Sequence, residues 1–207
     1  DLKAGQEPDR RLYRRFERPP LPLAVHTLVD LSASTTGAVL HAEQQAVVLF
    51  ALALESLGLR GAFTGFHGQA GEVTLSTLKG FDQPLDESAR KRLANLRAQG
   101  STRLGTVIRH TASSLERAPE PRRLMLLLSD GRPEGPDYRG LDALRDSAMA
   151  VRQVRRGGIA VHCVSLDSRD TSWLRPIFGE DHLAVRRIEE LPHRLPALFS
   201  RLLTGAR

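Results

Sequence analysis

The sequence predicts an α/β fold, Rossmann-like and doubly wound, with a mainly parallel central sheet flanked by helices. Three observations predict it. Short apolar runs alternate along the chain with stretches of helical periodicity, which is the pattern of parallel strands joined by crossover helices. The clearest apolar run, Arg123 to Ser129, is almost continuous, as a strand buried on both faces should be. The length of 207 residues suits one such domain and is short for two.

The elements follow in order. Residues 1–22 read as an N-terminal arm or linker ending in Pro19, Pro20 and Pro22, and residues 23–207 as the domain. Ala24 to Leu31 is a buried-strand candidate. Val39 to Leu57 places Val39, Ala46, Leu49, Phe50, Ala53, Leu54 and Leu57 on one helical face, and Gly58 stops it. Arg60 to Phe66 and Glu72 to Leu78 are expected strands. Pro84 to Leu96 is an expected helix with Asp86 and Glu87 near its start, and Leu104 to Leu115 another. After the Arg123 strand, Leu141 to Arg156 is helical and is closed by Gly157 and Gly158. Ile159 to Leu166 is a strand, Trp173 to Phe178 a short helix, His182 to Val185 a short strand and Pro192 to Leu203 a final helix.

Composition narrows the function classes. Hydrophobic residues make up 41% of the chain, enough for a packed core. No run of eighteen apolar residues occurs, so no membrane insertion is expected. Asp1 to Arg18 is polar and charged, without a signal-peptide pattern. The opening residue, Asp1, suggests that the sequence continues on its N-terminal side. Cys163 is the only cysteine, which excludes a disulfide framework and fits a cytoplasmic setting. The formal charge of +6 is carried mostly by arginines in short clusters, which read as solvated helix faces, so nucleic acid is not an expected partner.

In folds of this class the ligand site lies where loops leave the C-terminal ends of the strands. Three loops there carry unusual residues. The first strand ends in Asp30, followed by Ser32 and Ser34 in an Asp-x-Ser-x-Ser pattern. Thr102 precedes the Leu104 helix. The strongest strand runs into Asp130 and Gly131. Each piece alone is an ordinary cap or turn signal. Together they offer two carboxylates and three hydroxyls at one edge, a hard-oxygen set suited to Mg2+, with Mn2+ or Ca2+ as alternatives, rather than to zinc. These side chains are expected at a solvent-facing rim. Arg103, Arg132 and His67 are expected to border the site, where the arginines would guide an acidic partner.

This arrangement resembles the metal-ion-dependent adhesion site of von Willebrand factor A domains, and the resemblance covers about residues 23 to 205. It implies that Ser32 and Ser34 ligate the ion, that Thr102 does so directly or through water, and that Asp30 and Asp130 hold its waters. One position would stay open for an Asp or Glu of a partner. LKGFDQP (78–84), TRLGTVIRH (102–110), LLLSDGRPEGPDY (126–138), IFG (177–179) and LPHRLPALFSRL (191–202) further resemble the adaptors of MoxR-type AAA+ ATPases. That subgroup contains the Rubisco-activation adaptor and the nitric-oxide-reductase activation protein D. The resemblance implies an adaptor that works with a ring-shaped AAA+ ATPase hexamer on a client protein, with Rubisco as the first expectation and nitric oxide reductase as the second. An enzyme of another class, a metal-dependent phosphohydrolase, is the competing reading. Against it, the chain has no Walker loop, Gly-x-Ser-x-Gly elbow or Gly-x-Gly-x-x-Gly.

Overall fold

The computed structural model describes residues 23–34, 37–166, 170–191, 193–194 and 197–198. The expected arm and most of the expected final helix lie outside them. The elements run β1 (Leu23–Asp30), α1 (Ala38–Ser56), β2 (Arg60–Gln69), β3 (Glu72–Lys79), α2 (Glu87–Ala94), α3 (Leu104–Glu116), β4 (Arg122–Ser129), α4 (Gly140–Arg156), β5 (Ile159–Leu166), α5 (Leu174–Phe178), β6 (His182–Val185) and a 3-10 turn at Ile188–Glu190.

Six strands form one sheet in the order β3-β2-β1-β4-β5-β6. Neighbours are parallel, except that β3 folds back on β2. The expected mainly parallel sheet is therefore present, and its one antiparallel strand lies at an edge. β1 is buried along its whole length, as a central strand covered on both faces must be.

Strand alternation sorts the core into two layers. Val25, Val29 and Leu31 join α1 and α2 residues such as Phe50 and Leu93 on one face. Ala24 and Leu28 join α3, α4 and α5 residues such as Ile108, Val151 and Phe178 on the other. α1 is long and apolar enough to cross a membrane by length and composition, yet Ala46, Val47, Phe50, Ala51 and Leu54 face the sheet. It is a core helix. α2 begins later than expected because Asp86 caps it, accepting from the Ala89 N–H at 2.7 Å, and it ends at Ala94, before the expected Leu96.

The strand order reverses between β1 and β4. The loop after β1 leaves toward the α1 face and the loop after β4 toward the α4 face, which opens a crevice between them. Backbone hydrogen bonds stitch its walls together. Gln99 N–H donates to Leu31 O (2.7 Å), Ala33 N–H to Gly100 O (3.0 Å), Ser101 N–H to Gly68 O (2.8 Å) and Thr102 N–H to Glu134 O (2.8 Å). Gly100 makes this possible. Its φ is +72°, and a Cβ there would lie 2.1 Å from the Gly68 carbonyl oxygen. Gly100→Ala should therefore cost at least about 1–3 kcal/mol, read as a lower midpoint in chemical denaturation. An unchanged midpoint would show that this loop is not held as described.

Candidate metal centre

Asp30 ends β1 with its side chain on the α3/α4 face and is completely buried. Burial of a carboxylate is unfavourable unless hydrogen bonds compensate. Three separate segments provide them. Ser32 N–H donates to Asp30 Oδ1 at 3.0 Å, the Ser129 hydroxyl to Oδ2 at 2.8 Å, and the Thr102 hydroxyl lies 3.3 Å from each oxygen. A second chain of contacts continues outward. Ser32 Oγ and Ser34 Oγ are 2.9 Å apart, and Ser34 donates to Asp130 Oδ1 at 3.1 Å. The five residues singled out in the sequence thus form one hydrogen-bonded group at the crevice between β1 and β4.

The expectation of a solvent-facing rim needs correction. Ser34 is exposed and Asp130 half-buried, but Asp30, Ser32 and Thr102 are buried. The reason is the backbone stitching, which folds the 99–102 loop over the end of β1. His67 also differs from expectation. β2 continues past Phe66 to Gln69 because β3 pairs with its end. His67 is consequently inside the strand and buried, 3.5 Å from Gln99, and does not line the cleft. Arg103 turns aside as well, to Asp137 and the face of Tyr138, whose ring centroid is 5.3 Å away. Arg132 does line the cleft, where its Nε lies 3.0 Å from Glu134.

The open cleft above this group is bounded by Ser34, Thr102, Asp130, Arg132, Glu134 and Asp170, among others. Asp170, which the sequence reading did not include, enters from the loop after β5. Glu43 was also missed. It sits on the sheet-facing side of α1, is almost completely buried, and neither carboxylate oxygen has a hydrogen-bond partner among the described residues. A signal was available, because position 43 falls midway between Val39 and Ala46 on the apolar face and breaks it with a charge.

The electrostatics are those of crowded acids. Burial, with the Asp130 charge adding to it, pushes the Asp30 carboxyl from 3.8 up to about 6, although the Ser129 and Ser32 hydrogen bonds pull the other way. Burial first, then Asp30 and Asp130, holds the Glu43 carboxyl well above its ordinary range. Among the described residues no three side chains drawn from His, Cys, Asp and Glu gather as a ligand set. A cation here would depend on hydroxyl oxygens, and the set of Ser32, Ser34, Thr102 and two carboxylates fits a hard divalent ion. The 2.9 Å between the serine oxygens is close to the roughly 3.0 Å separating adjacent corners of an octahedron with Mg–O arms of about 2.1 Å.

Comparison with known proteins agrees with this architecture. The family model of the von Willebrand factor type A domain matches residues 25–193. The chain belongs to that family. Protein NorD of Brucella melitensis is 33% identical over 99% of this chain and 34% of its own length. Protein NorD of Stutzerimonas stutzeri is 31% identical over 84% of this chain and 30% of its own length. The chain thus spans about a third of the curated relatives it matches. Among solved structures, the PilB minor pilin of Streptococcus sanguinis superposes with a TM-score of 0.70 at 13% identity, covering 92% of this chain and 63% of that one. At that identity the likeness concerns the fold alone.

The raised Asp30 value has a signed consequence for the metal-free domain. The native state holds a proton on Asp30 that the unfolded chain releases near pH 3.8. This contribution to stability is full below that pH and is lost as pH rises through about 6. In chelator, Asp30→Asn should lack this decline. The gap between variant and wild-type melting temperatures should move in favour of the variant from pH 4 to pH 7. A pH-independent gap would contradict the assigned environment.

Proposed function

We propose that this domain is a non-enzymatic, metal-dependent protein-binding module of a larger adaptor, gripping an Asp or Glu of its partner through a divalent cation, most naturally Mg2+. One observation carries the reading. Asp30, Ser32, Ser34, Thr102 and Asp130 form a single hydrogen-bonded oxygen cluster under an open cleft. Ser32, Ser34 and Thr102 would hold the ion. Asp30 and Asp130 would orient those hydroxyls and accept hydrogen bonds from water. When bound, the ion supplies positive charge to an incoming carboxylate. Arg132 at the cleft edge favours approach of an acidic surface, and Glu134 and Asp170 beside it limit which surfaces fit.

The adaptor role rests on the subgroup motifs and on the relatives named NorD. We propose that the longer protein works in the cytoplasm with a MoxR-type AAA+ ATPase, which supplies the ATP hydrolysis for which this chain has no phosphate loop. The names of the relatives favour nitric oxide reductase as the client over Rubisco, reversing the order that the motifs suggested. A phosphohydrolase is disfavoured, because the buried Asp30 is enclosed by donors and is not presented to the cleft as a nucleophile.

The test is capture of the ATPase and of each candidate client by the full adaptor, with Mg2+ and with EDTA. Asp130→Ala should abolish the Mg2+-dependent fraction while leaving the melting temperature in EDTA within a few degrees of wild type. Replacing the client's bound carboxylate by an amide should do the same. Capture that is indifferent to both EDTA and Asp130→Ala would reject the mechanism.

A further inference from the structure

We propose that Glu43 is a third carboxylate of the cation site, a positioning residue that reaches it from α1 and accepts a hydrogen bond from water bound to the ion. The inference rests on the metal reading above and adds a residue outside the Asp-x-Ser-x-Ser, Thr and Asp set.

The argument begins with the helix. α1 follows the Asp30–Ser34 loop and leads back to the start of β2, so its N-terminal end lies at the crevice. Glu43 is five residues from that end, roughly 7.5 Å along the axis at 1.5 Å per residue. Its helix neighbours at one-turn spacing, Ala46 and Val47, pack in the same core layer as Val29, Leu31, Leu128 and Leu166. Those four residues mark the C-terminal ends of β1, β4 and β5. Glu43 therefore lies in the first turns of α1, in the half of the helix nearer the strand ends that lead to Asp30 and Asp130.

Packing gives no reason for a carboxylate at this position. Every other fully buried residue of α1 is apolar, and an apolar side chain of equal length would cover the same area without the desolvation cost. Asp30 has three hydrogen-bond donors around it, whereas both Glu43 oxygens lack a donor among the described residues. The nearby charges, Asp30 and Asp130, are of the same sign and make the position less favourable still. A divalent cation at the crevice reverses that balance. It supplies the missing positive charge, and its waters supply the missing donors. Outer carboxylates of this kind orient the ligands of an ion and typically change its affinity by about 10–100-fold when removed.

The experiment is a Mn2+ titration of the purified protein by calorimetry and electron paramagnetic resonance, with melting temperatures taken in chelator. Wild type should bind one Mn2+ that Asp130→Ala loses. Glu43→Gln should bind it at least tenfold more weakly. Glu43→Met, which keeps the length and removes the buried polar atoms, should weaken binding similarly while melting at or above wild type in chelator. A merely structural Glu43 would produce the reverse, a lowered melting temperature with unchanged Mn2+ affinity in folded protein, and that result overturns the inference alone. If wild type takes up no Mn2+ that Asp130→Ala removes, the metal reading fails and this one with it.

Discussion

The buried carboxylate of Asp30 is the constraint around which the rest is arranged. It ends the central strand β1, where no solvent can hydrate it, and so needs donors from the protein. Its donors come from residues 2, 72 and 99 positions away in sequence. Meeting that need fixes the 31–34 loop, the segment before α3 and the end of β4 relative to one another. Only a position where the strand order reverses lets these segments converge, because there the loops after β1 and β4 leave to opposite faces and leave room between them.

Much of this was legible in the sequence, and the parts that were not share a cause. β4 announced itself through the apolar run from Leu124 to Leu128, and Asp30 and Asp130 were readable because each stands where a mostly apolar segment ends. Periodicity identifies a strand and its end. It does not say which segment folds over that end. Thr102 and Ser32 looked like surface hydroxyls because nothing local reveals that Gly100 lets the loop press against Gly68. His67 was misplaced by the same limit, since the pairing with β3 that carries β2 to Gln69 is a tertiary event. Arg103 was expected to border the site, but the acid it pairs with, Asp137, is 34 positions away.

The cleft has a deep part and a peripheral part with different physical characters. Deep inside, buried groups hold one another at hydrogen-bonding distance. At the periphery, Arg132 and Glu134 form an exposed pair of the kind that contributes little to stability. The loop that carries them is nevertheless firmly attached. The Tyr138 hydroxyl lies 2.8 Å from Asp146, which also binds Arg109 of α3 at 2.6 Å. Burial pushes that phenol up to about 12, so it remains a proton donor at any physiological pH. Exposed side chains on this loop can therefore change without loosening the frame.

The position of the crevice also determines how the domain bears load. Whatever is held between Asp30 and Asp130 is attached to the C-terminal ends of β1 and β4, two adjacent parallel strands in register from Leu23 opposite Arg122 to Val29 opposite Leu128. The chain enters β1 at its other end, after residue 22. Tension between that entry point and the crevice runs along the strand axis. The share borne at Asp30 is carried by the backbone of β1 itself, and the share borne at Asp130 loads the β1–β4 ladder in shear, all rungs together rather than one at a time. The most central strand of the sheet is therefore also its mechanical tie, suited to transmit a pull without unravelling.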